Sequence, residues 1–436
     1  MIDSEINNDN DNNKKKETSY QLGHRNLMTV DAGDHHHHHQ QQHHQYQYQY
    51  QYQYQHQRNV HCSSSPPPPF SFKLPPDLAA KEPPERRGIA RDEVRLLVIN
   101  RKSYETEHSH FYRIAKFLRA GDLLVFNSSR TIPASLFGYG VSAGRAFVIE
   151  VRLSEHLPDD TWLALLLCED AAAAAVGNSS VSNGTDDNDD NKLPHGDPLM
   201  GMRIDFGHGL VATVYDSDKN ISKLRRIKFS KSGTQLIELL YRLGQPIRYE
   251  YVSRPWDLDY YQTVYAREPG SAEMPSAGRA FTWKLLLGLR RHGLGMAYIS
   301  LHAGLSSYMD YALDSQHPAS EEEYFVKYVT AERINKTHAQ GGRVIAVGTT
   351  VVRTLESVST DDGNVHAGHG YTRLHITANH KLKAVDGLLT GLHEPEASHL
   401  DLLSAFLPSE EIHKAYDQAI RRKYLWHEFG DLNLIL

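Results

Sequence analysis

Cysteine is nearly missing: the 436 residues hold two, Cys62 and Cys168, far apart and in stretches that read as irregular. That excludes a disulfide framework and a thiolate metal site, and a reducing cytoplasm fits best. Long apolar runs are missing too. No stretch approaches the roughly 20 residues that cross a bilayer, and the start of the chain lacks the basic-then-apolar order of a secretory signal, so a soluble, unexported, cytoplasmic protein is expected. Nor is there an excess of positive charge. Lys and Arg total 47 against 53 Asp and Glu, a formal net charge of -6, which argues against a nucleic-acid binder of the strongly basic kind. Local clusters such as Lys223, Arg225, Arg226 and Lys228, or Arg421, Arg422 and Lys423, are either solvated faces or small basic patches.

Two stretches have too little apolar surface to offset the entropy of ordering. The first, residues 1–69, is Asn/Asp-rich, then runs through His35 to His39, alternating Gln and Tyr, and four prolines; it is expected to be a disordered low-complexity tail. Its histidine run has nothing to fix ligand geometry, so no metal site is assigned there. The second, roughly 171–198, carries "NSSVSNGTDDNDDNKLPHGD" and reads as a disordered acidic loop between strands.

What remains is long enough for more than one domain. From Leu123 through Phe229 short apolar runs alternate with turn signals ("DLLVFN", "FVIEVRL", "TWLALLL", "MRIDF", "LVATVY", "RRIKF"), the spacing of a small antiparallel β domain or barrel. After Tyr251 strands alternate with helices. In "TWKLLLGLRRHG" Thr282 is placed to cap a helix and Gly293 to end it; in "TAERINKTHAQGG" Gly341 stops the helix before the strand "RVIAVG". Ile412, Ala415, Tyr416, Ala419, Ile420 and Tyr424 recur at helical spacing after Ser409, the expected cap. The economical fold class is α/β: a barrel-like α/β domain from 70–127 and 251–436, with an antiparallel β-barrel domain inserted at 128–250.

One junction invites a ligand. "GGRVIAVGTTVVRTLES" (341–357) has an apolar strand covered on both faces, then Gly348, where the backbone can turn sharply, then Thr349 or Thr350 as a helix cap. The N–H groups and positive dipole end of such a helix favour a carboxylate or phosphate. Arg353 and Glu356 share one face and are expected to pair. Taken alone, the stretch reads better as a purely structural turn, since strand-Gly-Thr-helix occurs in many α/β proteins.

Four segments together are more specific. "DLLVFNSSRTIPASLFG" (122–138), "YQTVYA" (261–266) followed by "PSAGRAFT", the junction above, and the terminal "YLWHEFGDLNLI" (424–435) occur in an order that closely resembles the S-adenosylmethionine:tRNA ribosyltransferase-isomerase family of the queuosine pathway. The resemblance covers about 70–436. It implies an α/β domain with an inserted β-barrel, S-adenosylmethionine as a consumed cosubstrate with no permanently bound cofactor and no metal, and tRNA as partner, in a monomer or weak oligomer without a membrane. It also implies the reaction: the ribosyl part of S-adenosylmethionine moves to the aminomethyl group of a 7-deazaguanine at the wobble position, adenine and methionine leave, and an epoxycyclopentanediol remains on the base.

Such chemistry needs a base beside the sulfonium carbon, donors for the departing adenine and a site that excludes water. By the resemblance, His302 in "SLHAGL" matches "TLHVGL" and is the first candidate for a base or positioning group, with a satisfied structural histidine as the alternative. His393 in "TGLHEP" matches "TNFHLP", and His317 matches the first histidine of "HxMHSE", with Glu322 at its carboxylate. Gly348, Thr349 and Thr350 would receive the methionine carboxylate or a tRNA phosphate. Tyr261, Gln262 and Tyr265 would stack on or bond a base, or belong to the core. Arg91, Arg95 and Arg130 would meet phosphate or pair with acids. Asp386 and Asp431 would orient a ring or hydroxyl, or cap loops. Asn127, Gly278, Gly304 and Arg353 complete the expected substrate-binding set.

The chain also departs from the family's motifs. "PTAGLHFT" is "PSAGRAFT", with Arg279 for leucine and Ala280 for histidine. Ser320 replaces the second histidine of "HxMHSE", Gly391 an asparagine and Glu394 a leucine. "PLPPYI" is "IRYEYV" (247–252) and "FFSYGD" is "WHEFGD". Two other readings therefore stand beside the family reaction: a paralog that consumes S-adenosylmethionine for a different acceptor, and an inactive protein that binds S-adenosylmethionine or tRNA.

Overall fold

The structure, a computed structural model, describes residues 72–142, 144–170, 199–249, 251–252, 254–314, 316, 320–395 and 397–436. The expected tail (1–69), the acidic loop (171–198) and His317 lie outside the described residues.

Among the described residues seventeen strands follow one another. The first four are β1 (Arg95–Ile99), β2 (Thr106–His110), β3 (Leu123–Asn127) and β4 (Ser129–Thr131). Then come β5 (Ser135–Ser142), β6 (Arg145–His156), β7 (Trp162–Asp170), β8 (Arg203–Asp205), β9 (Val211–Ser217) and β10 (Leu224–Phe229). The rest are β11 (Glu268–Ser271), β12 (Gly295–Leu301), β13 (Glu322–Val326), β14 (Val344–Val347), β15 (Gly368–Thr372), β16 (Gly387–Gly391) and β17 (Leu432–Ile435).

β5 to β10 close into an antiparallel barrel in the order β10-β7-β6-β5-β8-β9. Its interior takes the alternate residues Ile149, Val151 and Leu153 of β6, all fully buried, as the two-residue period of a strand requires. Gly138 and Gly140 on β5 let neighbours close in: a Cβ on Gly140 would lie 2.8 Å from Ile149.

Nine strands make the large sheet, in the order β15-β13-β12-β3-β14-β16-β17-β1-β2. β12, β3, β14 and β16 run parallel at its centre. The run "DLLVFN", grouped by spacing with the barrel strands, is here β3, buried at all five positions between two parallel neighbours. Its unbroken apolar stretch suits a strand covered on both faces. Helices cover the sheet. Trp283–Arg291 is capped by Thr282, whose side chain accepts from Leu285 N–H, and Gly293 beyond it takes φ +89°. Tyr328–Ala339 ends before Gly341 at φ +73°, and Thr349–Ser357 follows β14 directly.

Two expected caps are corrected. The N-cap of Thr349–Ser357 is Gly348, with no side-chain cap; Thr349 is already helical. Likewise Ser409 is the first helical residue of Ser409–Arg421 behind Pro408, with Glu410 and Glu411 in the first turn to complement the dipole. Of the six spaced residues there, Ile412, Ala415, Tyr416 and Ala419 form the buried face, and Tyr424 is buried beyond the helix end.

Candidate functional site

A cavity of about 480 Å³ opens where the ends of the central strands meet the barrel side of the fold. Its wall takes residues from six segments, 273–277, 303–309, 348–353, 373–376, 390–399 and His427–Glu428, with Tyr249, Tyr251, Asp314, Ser320 and Glu322 in addition. The chain turns after β12, β14 and β16 all contribute, which is where open parallel sheets hold ligands.

Gly348 is the pivot. With φ +98° and ψ 152° it sits in a region that side-chain-bearing residues avoid, and it turns β14 into the helix Thr349–Ser357 so that the first turn faces the cavity. Asn127, buried, reaches the same turn: its amide donates to Leu301 O at 2.9 Å and to Thr350 Oγ1 at 3.3 Å, while its oxygen accepts from Leu301 and Ser129 N–H. The expected Arg353–Glu356 pair does not form. Arg353 instead bonds the Glu322 carboxylate of β13 and Leu374 O, and Glu356 accepts from Lys383 and Ala384 N–H and meets His380 at 3.1 Å. The helix turns Glu356 toward the following loop, so three-residue spacing was not enough to decide its partner.

Acid groups dominate the wall: Glu273, Asp314, Glu322, Glu394 and Glu428 against Arg353 and Arg373. Burial raises the Glu273 carboxyl to about 8, although its Oε1 accepts from Ser306 N–H at 2.6 Å. Burial also raises Glu428 to about 7, opposed by the hydrogen bond from Tyr251 OH at 3.1 Å. Just behind Gly304, Glu155 of the barrel is raised to about 8 by burial and then by the Glu322 charge. Burial acts the other way on His393, holding it neutral well below its usual value, helped by the neighbouring His399 and His427. Its Nε2 meets Thr390 Oγ1 at 2.7 Å and its ring stacks on His399, centroids 4.5 Å apart.

Of the residues expected from the sequence, Gly304, Glu322, Gly348, Thr349, Thr350, Arg353 and His393 line this cavity. The others sit elsewhere. His302 points between β4 and β11: Nδ1 bonds Ser129 Oγ at 2.7 Å, and its ring lies so close over Gly270 that a Cβ there would be 2.5 Å from Nδ1. Tyr261 and Tyr265 are buried in aromatic clusters with Phe429 and Phe126. Gln262 pairs with both backbone groups of Thr131, and Gly278 packs under Tyr265. Asp386 takes Val344 N–H and His338, and Asp431 takes the Arg95 side chain together with Arg95 and Leu425 N–H. Arg95 also bonds the carbonyls of Arg422 and Lys423. Arg91 pairs with Glu85, and Arg130 stacks over Tyr241 with its Nε unpartnered.

Glu273, Tyr251, His399, His427 and Glu428 line the cavity without having been singled out. A buried carboxyl in a loop carries no periodic signal; only the departures "IRYEYV" and "WHEFGD" marked part of this set. Among the described residues no group of three or more His, Cys, Asp or Glu has a metal-holding arrangement, and no helix is long and apolar enough to cross a membrane.

Comparison with known proteins agrees in extent with this fold. The family model described as "Queuosine biosynthesis protein" matches residues 68–435. The S-adenosylmethionine:tRNA ribosyltransferase-isomerase of Moorella thermoacetica is 39% identical over 373 residues, covering 84% of this chain and 98% of that protein. Its namesake from Thermoanaerobacter sp. is 35% identical over 371 residues, with the same coverage. A crystal structure of S-adenosylmethionine tRNA ribosyltransferase from Thermotoga maritima is 29% identical, covers 85% of this chain and all of that one, and superposes with a TM-score of 0.45. With a family model spanning the whole described region and relatives above 30% identity along nearly their full length, the chain belongs to the queuosine biosynthesis protein family.

Proposed function

We propose that this chain is an S-adenosylmethionine:tRNA ribosyltransferase-isomerase. It would move and isomerise the ribosyl group of S-adenosylmethionine onto the aminomethyl nitrogen of 7-aminomethyl-7-deazaguanine at the tRNA wobble position, giving epoxyqueuosine-tRNA and releasing adenine and methionine. The observation that carries the reading is the polarity of the cavity: five carboxyl groups, of which burial leaves Glu273 uncharged, against two arginines, beside a helix N-terminus. Such a site suits a ligand whose sulfonium and ammonium groups are positive and whose one carboxylate is negative. The N-terminal turn at Gly348, Thr349 and Thr350 takes the methionine carboxylate, and the acidic wall takes the cationic centres. The matched relatives carry the same activity in their names.

Two wall groups are matched to the proton transfers. His393, neutral at physiological pH, is the candidate to accept the proton from the carbon next to sulfur; Glu273, still protonated at neutral pH, is the candidate to donate to the departing adenine. His302 acts as a positioning residue, tying the segment before Gly304 to β4 through Ser129. Arg130, stacked over Tyr241, is the candidate for phosphate contact, whereas Arg91 and Arg95 already hold acids. The catalytic division of labour assigns 70–127 and 251–436 to the reaction and the barrel at 128–250 to the support behind Gly304, where Glu155 sits. S-adenosylmethionine is consumed, tRNA is the macromolecular partner, and the cytoplasm is the place of work.

Adenine release is the direct assay. With S-adenosylmethionine and tRNA bearing the aminomethyl precursor, free adenine should form; with either omitted it should not. Release with another acceptor in place of that tRNA would point to the paralog reading, and binding of S-adenosylmethionine with no release under any condition to the inactive one. His393→Ala should lower kcat by about 100-fold or more with little change in the S-adenosylmethionine KM.

A further inference from the structure

Next to the main cavity lies a small recess whose lining includes Arg279, Ala280, Gly391, His427 and Glu428, and it shares Ser276, Gly391, His427 and Glu428 with the cavity itself. These five positions come from three segments distant in sequence, and each departs from the motifs the chain otherwise resembles. Folding brings all of them to one wall.

Glu428 is the polar centre of that wall. Tyr251 OH donates to its Oε2, but its Oε1 is shielded from solvent and has no hydrogen-bond partner. A buried carboxyl oxygen left unbonded is costly unless a ligand completes it. Beside it, Tyr251 and His427 stack face to face at 3.8 Å and 10°, with Tyr249 parallel to Tyr251 at 6.0 Å. His427 holds φ +73°, uncommon for a residue with a side chain, and Glu394 fixes its ring at 3.4 Å from Nε2. The arrangement therefore sets a flat aromatic column against one unpartnered acceptor. A planar nitrogen heterocycle that carries N–H donors satisfies both; an apolar group leaves the acceptor unbonded, and a phosphate satisfies neither.

Resting on the reaction proposed above, we infer that Glu428 is a specificity-determining residue for the acceptor, taking a hydrogen bond from an N–H group of the nucleobase while the Tyr251–His427 stack flanks it. The donor is either the aminomethyl nitrogen or the ring-edge N–H and amino group of the deazaguanine, and the test separates these. S-adenosylmethionine occupies the other end, at Gly348 to Thr350, so the two ligands answer to different residues.

Initial rates of adenine release are measured for the full chain, for Glu428→Ala and for Glu428→Gln, varying the tRNA and S-adenosylmethionine separately. Glu428→Gln keeps volume and the Tyr251 contact, and so guards against a variant that merely misfolds. Expected is a rise of about tenfold or more in the acceptor KM for Glu428→Ala, a smaller rise for Glu428→Gln, and an S-adenosylmethionine KM within about twofold of normal. Equilibrium binding of tRNA is measured in parallel with guanine or the aminomethyl precursor at the wobble position. If Glu428→Ala loses affinity for both, the ring edge is the donor; if only for the precursor, the aminomethyl nitrogen is. Unchanged acceptor KM and unchanged tRNA affinity in both variants overturn the inference, as does a shift confined to the S-adenosylmethionine KM. Should the unaltered protein release no adenine, the parent reaction fails, and the binding arm still decides the role of Glu428.

Discussion

Gly278 lies directly beneath the hydroxyl of Tyr265: a Cβ at 278 would stand 1.9 Å from Tyr265 Oη and 3.1 Å from Cζ. Two residues that the family's motifs single out are thus a packing pair behind the cavity wall at Ser276 and Ala277. The Tyr265 hydroxyl is buried without a hydrogen-bond partner. Gly278→Ala should cost about 2–3 kcal/mol in urea unfolding, as overpacking does. Tyr265→Phe removes the unpartnered group, so it should be neutral or stabilising by up to about 1 kcal/mol, and it should recover part of the Gly278→Ala loss. A clear loss from Tyr265→Phe alone would mean that the hydroxyl has a partner.

At Gly348 the limit is conformational rather than steric. A Cβ would meet nothing nearer than Thr350 Oγ1 at 3.6 Å, yet φ is +98°. Gly348→Ala should lower stability by about 1–3 kcal/mol through backbone strain, and it should weaken S-adenosylmethionine binding, measured calorimetrically, because the first helical turn must shift to relieve it. Normal affinity in a folded Gly348→Ala would remove this turn from the site.

Arg353 and Glu322 bridge the Thr349–Ser357 helix and β13, with side chains 20% and 8% exposed. Removing the cation strands Glu322 beside Glu155, whose carboxyl already feels its charge. Arg353→Met should therefore destabilise by about 2–3 kcal/mol, less than a fully buried pair would, and adding Glu322→Gln should restore much of it. Additive losses in the double variant would contradict this coupling.

Glu155 gives stability a pH slope. Its folded value of about 8 stands above the ordinary 4.5, so the unfolded chain ionises first. The stabilising contribution is complete below about 4.5 and is lost as pH rises through about 8. Thermal midpoints should fall between those limits, and Glu155→Gln, which cannot ionise, should flatten the decline and melt higher than the parent at pH 8. An unchanged slope would show that this carboxyl is ionised in the folded state.

Much of the site was legible locally, and the rest fails for identifiable reasons. Gly348 was readable because a glycine between an apolar strand and a threonine-led helix has few other uses. His393 and Glu322 were reached through motif resemblance, and both line the cavity. His302 carried the same kind of signal yet turns away toward Ser129, since the residue after a strand can face either side of the sheet and only the β4–β11 pairing settles which. Asp386, Asp431 and Gln262 bond backbone N–H groups of Val344, Arg95 and Thr131, far along the chain, contacts that no spacing rule contains.

By itself the sequence determined the kinds of element and their order: alternating apolar residues built barrel strands, unbroken apolar runs built the covered centre of the large sheet, and Thr282, Gly293, Gly341 and Gly348 marked helix ends, because such choices depend on near neighbours. Only the tertiary structure decided that Glu273, His393, Glu428 and the turn at Gly348 share one cavity. Their proximity, and the burial that shifts their protonation, arise from packing between segments well separated along the chain, where desolvation is set by the whole fold.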